Sequence, residues 1–170
     1  MLTQYSKDME RMMTALNLCR VIHQNQTDKC GQPYWIHPFT VAMRGFSGYS
    51  KHAISNVIVG LLHDIPEDTD LSVDAIDSIV GLTYDEKAAL KLLTREDGMS
   101  YNQYIKSIIE SGNRIAIEVK LDDLCHNMDL GRFADAGVEI TEEDLNRREK
   151  YSKTFAKLLY KLNEIDDRLL

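Results

Sequence analysis

The chain has 170 residues and a mass of 19.5 kDa, enough for a substantial core in one domain. Its hydrophobic fraction of 44% excludes a disordered chain. A net charge of −7, with no lysine or arginine cluster, argues against a nucleic-acid binder and requires any anionic ligand to be met by a few local cations or a metal.

The N-terminal stretch carries acids early and lacks an apolar core, so it does not read as a signal peptide. Over residues 4–24, Met9, Met12, Met13, Leu16 and Cys19 recur at helical spacing. The polar stretch 25–34, with its glycine and proline, reads as a loop. Helices are predicted near 36–46, 53–64, 73–80, 84–94, 101–111, 113–129 and 142–169. Thr83 with Glu86 and Ser100 with Gln103 have capping-box spacing, and Thr141 with Asp144 its acidic variant. No alternating β-branched run appears, so the expected fold is an all-α, single-domain helical bundle spanning residues 1–170. The apolar run Val57 to Leu62 is too short to cross a bilayer. Cys19, Cys30 and Cys125 are scattered, odd in number and without a CxxC pair, which predicts free thiols in a reducing compartment, hence a cytoplasmic protein.

Three segments carry candidate chemistry. His63 and Asp64 end the nearly all-apolar helix AISNVIVGLLHD, a pattern expected of a buried helix. Spacing of four residues would align Glu67 with His63 and Asp68 with Asp64, but Pro66 removes a helical donor and disfavours helical geometry at Ile65. The segment VKLDDLCHNMDL offers two pairs at the same spacing, Asp123 with Asn127 and Asp122 with His126. Measured from the stripe Leu121, Leu124, Cys125 and Met128, Asp123 lies nearly opposite, so amphipathicity alone would leave it in solvent. The third segment, PYWIHPFTVA, places His37 at or just before a helix start. Two histidines and two carboxylates suit a hydrolytic divalent ion such as Mn²⁺ or Zn²⁺, with further carboxylates available to orient or deprotonate water.

HPFTVA, LLHDIPEDTD and VKLDDLCHNM resemble the three blocks of the HD-domain hydrolases of the RelA/SpoT type, which degrade the alarmones ppGpp and pppGpp. The likeness runs over about residues 10–155 and includes Gly31-x-Pro33-Tyr34-x-x-His37-Pro38. It implies metal ligation by His37, His63, Asp64 and Asp123; the expected ion is Mn²⁺, with another divalent metal as the alternative. It also implies water activation by Glu67 and Asp68, and substrate contacts from Lys29, Asn127, Arg147 and Tyr151. By the same register Asp123 is the ligand and Asp122 is dispensable. Two departures stand out. Ile65-Pro66 replaces the usual Thr-Val, and Asp28 stands where a second basic residue usually precedes Lys29. The resemblance implies a stand-alone small alarmone hydrolase that removes the 3′-diphosphate as pyrophosphate, its partner being a small nucleotide rather than nucleic acid or a membrane. Two alternatives remain at this stage. One is an HD phosphohydrolase for another nucleotide, such as a nucleoside monophosphate or an adenosine alarmone; the other is a non-catalytic nucleotide-binding module. The sequence leaves the oligomeric state open.

Overall fold

A computed structural model describes residues 3–47 and 52–167. The helices run in the order α1 (Gln4–Ile22), α2 (Ile36–Ser47), α3 (Ala53–Leu62), α4 (Ile65–Asp68), α5 (Val73–Val80), α6 (Tyr84–Leu93), α7 (Tyr101–Ser111), α8 (Arg114–Met128), α9 (Gly131–Asp135) and α10 (Glu142–Asp167). Among the described residues there is no strand, only an isolated bridge between Thr27 and Pro33 that closes the predicted loop. The all-α expectation holds.

Local chemistry sets the helix starts. Thr83–Glu86 and Ser100–Gln103 form complete capping boxes, and Thr141 exchanges hydrogen bonds with Asp144 at the head of α10. The C-termini of α5 and α7 run into Gly81 and Gly112 at φ of 72° and 62°, a conformation that glycine adopts without a Cβ penalty. In α1 the predicted stripe is only partly right: Cys19 is buried and Met12 and Leu16 pack against the core, whereas Met9 and Met13 are exposed.

α3 is the axis of the bundle. Every residue from Asn56 to Leu62 is buried, and α1, α2, α6 and α8 pack around it. One core cluster gathers Val57, Ile58, Leu61 and Leu62 with α1, α5 and Ala42. The other joins Val59 to α6, α7, α8 and α10. α2 and α3 approach closely at Gly60, where a Cβ would lie 3.0 Å from the Ala42 Cα. Such crowding against backbone costs about 1–3 kcal/mol, so glycine at this position sets the spacing of the two helices.

Sequence spacing extended α3 to residue 64, but the helix ends at Leu62. Pro66 does not leave the following residues irregular. It sits in the first turn of the short α4, where the missing N–H would have no helical acceptor anyway. Ile65 opens that helix although it precedes a proline, so the expected bias away from helical geometry does not prevail there.

Candidate metal centre

Each predicted ligand is delivered by a helix end or a helix interior. His37 is the second residue of α2. His63 and Asp64 occupy the junction of α3 and α4. Asp123 lies within α8 and is buried, against the solvated placement that amphipathicity suggests. α8 has other helices around it, so the side opposite its apolar stripe meets protein.

These four side chains converge. His37 Nε2 lies 3.3 Å from Asp64 Oδ2 and 3.2 Å from Asp123 Oδ1. His63 Nε2 lies 3.0 Å from Asp64 Oδ1 and 3.8 Å from Asp123 Oδ1. Ligand atoms of His37, His63 and Asp123 fall within 4.8 Å of one another, and all three residues are buried. The His63 Nδ1 meets the Gly60 carbonyl at 2.8 Å. A carbonyl only accepts, so Nδ1 carries the proton and Nε2 is free to present a lone pair. That Nε2 is buried and has no hydrogen-bond partner. An imidazole nitrogen without a donor, facing two carboxylates, is the arrangement a divalent cation completes.

The electrostatics point the same way. Burial pushes the His37 and His63 imidazoles down, but Asp64 and Asp123 outweigh it and raise both. Burial pushes Asp64 up, yet the two imidazoles hold it well below the ordinary carboxylate range. Asp123 is likewise held low against burial, first by Lys120 and then by the histidines. The cluster is thus a pair of ionised carboxylates seeking positive charge, from imidazolium protons or from an ion.

Several supporting residues were given no role in the centre by sequence reasoning, His126 having been paired with Asp122 instead. Tyr34 donates its hydroxyl to Asp64 Oδ2 at 2.8 Å. Lys120 reaches Asp123 Oδ2 at 2.8 Å and lies over the Tyr104 ring. His126 Nδ1 lies 2.6 Å from His37 Nδ1. Signals were present for two of them: Tyr34 belongs to the Gly-x-Pro-Tyr block, and Lys120 stands three residues before Asp123. Asn127 donates to Asp123 Oδ1, as the four-residue spacing predicts. The companion pairing does not form. Asp122 faces Arg44 at 3.5 Å, and His126 turns to His37 instead.

The remaining predicted residues lie at varied distances from this centre. Asp68 is close enough that, after burial, Asp64 is the main cause raising its carboxyl. Glu67 accepts from the Arg95 backbone N–H at 2.6 Å and borders a polar cavity of about 460 Å³ together with Thr69 and Arg95. Lys29 and Arg147 meet at Asp144 Oδ1, at 3.2 and 2.7 Å. Tyr151, one turn beyond Arg147, stacks toward Tyr101 and packs against the core. Asp28 pairs with Arg132 at 3.3 Å. Both line a cavity of about 260 Å³ bordered by His37 and His126, which returns a cation to the neighbourhood where Asp28 replaces a basic residue.

Fold and site define an all-helical protein with a buried histidine–carboxylate cluster suited to a divalent ion. Comparison with known proteins relates the chain to the RelA/SpoT-type hydrolases. It is 33% identical over 118 residues to a GTP pyrophosphokinase of Myxococcus xanthus, covering 63% of this chain and 15% of that protein. A probable guanosine-3′,5′-bis(diphosphate) 3′-pyrophosphohydrolase of Synechocystis is 31% identical over 119 residues, with the same two coverages. The bifunctional (p)ppGpp synthase/hydrolase SpoT of Escherichia coli K12 is 28% identical over 127 residues, covering 70% and 18%. The chain therefore spans about 15% of the length of the first of these relatives. No protein-family model matches. A solved structure described as a metazoan ortholog of SpoT that hydrolyses ppGpp shares the fold, with a TM-score of 0.65, 22% identity, and coverage of 93% of this chain and 94% of that one.

Proposed function

We propose that the chain is a single-domain, Mn²⁺-dependent hydrolase that removes the 3′-diphosphate of ppGpp or pppGpp, releasing pyrophosphate and GDP or GTP. The observation that carries this reading is the convergence of His37, His63, Asp64 and Asp123, with the buried His63 Nε2 facing both carboxylates. The sequence likeness to named 3′-pyrophosphohydrolases supports the substrate. The free cysteines are consistent with a reducing, cytoplasmic setting.

His37, His63, Asp64 and Asp123 would hold a divalent ion, which would supply Lewis acidity and lower the pKa of a bound water. The protein does the rest. Asp68, with its carboxyl raised by burial and by Asp64, takes the proton of the attacking water, while Glu67, anchored on the Arg95 N–H, orients it. Water adds to the phosphorus attached to the 3′ oxygen, that P–O bond breaks, and the ribose oxygen recovers a proton as pyrophosphate leaves. Tyr34, Lys120 and Asn127 keep the two ligand carboxylates oriented. Lys29, 54% exposed, keeps its ammonium accessible to an anionic ligand beside Arg147. Lys29, Asn127, Arg147 and Tyr151 are assigned to substrate contact.

The test is mass spectrometry of products from ppGpp, with and without Mn²⁺, beside a panel of other nucleotides. Pyrophosphate and GDP formed only with the metal are expected. Orthophosphate from nucleoside monophosphates, with ppGpp untouched, would overturn the substrate assignment, and binding of ppGpp without turnover would overturn the enzymatic one.

A further inference from the structure

His126 lies in the last turn of α8, three residues after Asp123. Its Nδ1 is 2.6 Å from the Nδ1 of His37, with ring centroids 4.8 Å apart and planes inclined by 35°. Two imidazole nitrogens approach so closely only with one proton between them. Two lone pairs, or two N–H groups, would repel. The opposite nitrogen of His37, Nε2, faces Asp64 and Asp123.

We propose that His126 is a positioning residue: it accepts the Nδ1–H of His37 and so fixes the tautomer and ring orientation that present His37 Nε2 as a ligand to the divalent ion. This rests on the metal reading of the site. Tyr34, the other polar ring beside His37, has its hydroxyl committed to Asp64. The two histidines of the centre are thereby oriented by different means. His63 is held by a main-chain carbonyl, that of Gly60, which side-chain replacement leaves in place. His37 depends on one replaceable side chain. Acceptors of this kind, one bond removed from the metal, typically contribute a factor of 10–100 in metal affinity.

The test is calorimetric titration of the metal-stripped full chain with Mn²⁺ for wild type, His126→Leu and His126→Asn. The Asn side-chain oxygen can replace Nδ1 as acceptor. His126→Leu is expected to weaken Mn²⁺ binding about 10- to 100-fold, and His126→Asn to recover most of it. Equal binding by wild type and His126→Leu, or an Asn variant no better than Leu, overturns the role of His126 while leaving the site intact. Should His126→Leu not fold, ¹⁵N spectra of the Zn²⁺-loaded wild type decide. A proton on His37 Nδ1 is expected, and a proton on Nε2 refutes the assignment. A wild-type chain that binds neither ion overturns the metal reading itself, and this role with it.

Discussion

Asp122 and Asp123 are neighbours on α8 with entirely different surroundings. Asp123 is buried between His37, His63, Lys120 and Asn127, whereas Asp122 turns to Arg44 beside Gly45. Successive residues are about 100° apart around a helix, so only one of the two can face the centre. Asp123→Ala should abolish Mn²⁺ binding and ppGpp hydrolysis, while Asp122→Ala should leave both within a few-fold of wild type. Metal analysis and product assays on the two purified variants check this, and the reverse outcome would refute the assignment of the helix register.

The same pair separates in its response to pH. Burial raises the Asp122 carboxyl to about 6 against the opposing pull of Arg44. A folded-state pKa above the unfolded one means that stability is fully present below about pH 4 and is lost as the pH rises through 6. Asp122→Asn stays neutral throughout. It should be more stable than wild type above pH 6, by about 1–2 kcal/mol, with the difference vanishing near pH 4. Denaturant melts of both proteins from pH 4 to 8 measure it.

His63 has no substitute among its neighbours, since its Nδ1 is bound to Gly60 and its Nε2 faces the carboxylates. His63→Ala should purify without the roughly one divalent ion per chain expected of wild type. Because Asp64 and Asp123 raise both imidazoles, against burial, protons compete with the ion even above the ordinary histidine range. Wild-type Mn²⁺ affinity should therefore still be rising with pH at 7, and a flat titration between pH 6 and 8 would contradict the ligand set.

Lys29 contacts nothing in the centre; its ammonium lies 3.2 Å from Asp144 and is largely exposed. Its contribution should be to ground-state binding of the anionic substrate. Lys29→Ala should raise KM for ppGpp several-fold with kcat changed by less than two-fold, and leave Mn²⁺ content unaltered. A loss confined to kcat would assign Lys29 to the chemical step instead.

The bundle was legible in the sequence wherever local chemistry sets it. Capping residues and apolar spacing placed the long helices within a few residues of their described ends, because those signals act within one turn; the predicted end of the last helix at 169 lies outside the described residues. α4 and α9 escaped, being too short to show a period. Asp123 is the instructive case. Its helix angle predicts solvent, yet α2, α3 and α10 pack around α8, and only the motif register places the residue inside. Arg132 with Asp28, and Lys29 with Asp144, join residues 104 and 115 positions apart; no local pattern encodes such pairs. Glu67 illustrates a different limit, since its spacing from His63 was readable but its acceptance of the Arg95 N–H depends on a loop fold.

The centre draws its side chains from α2, the α3–α4 junction and α8, segments that an unfolded chain holds far apart. An ion seated there joins them as a cross-link that only the native state can make. By mass action, an ion at one hundred times its dissociation constant adds about 2.7 kcal/mol to the free energy of unfolding, a large share of what a domain of this size possesses. Divalent-ion supply would then govern how much of the protein is folded as well as how much is active, so scarcity of the ion would lower abundance through clearance of the unfolded chain.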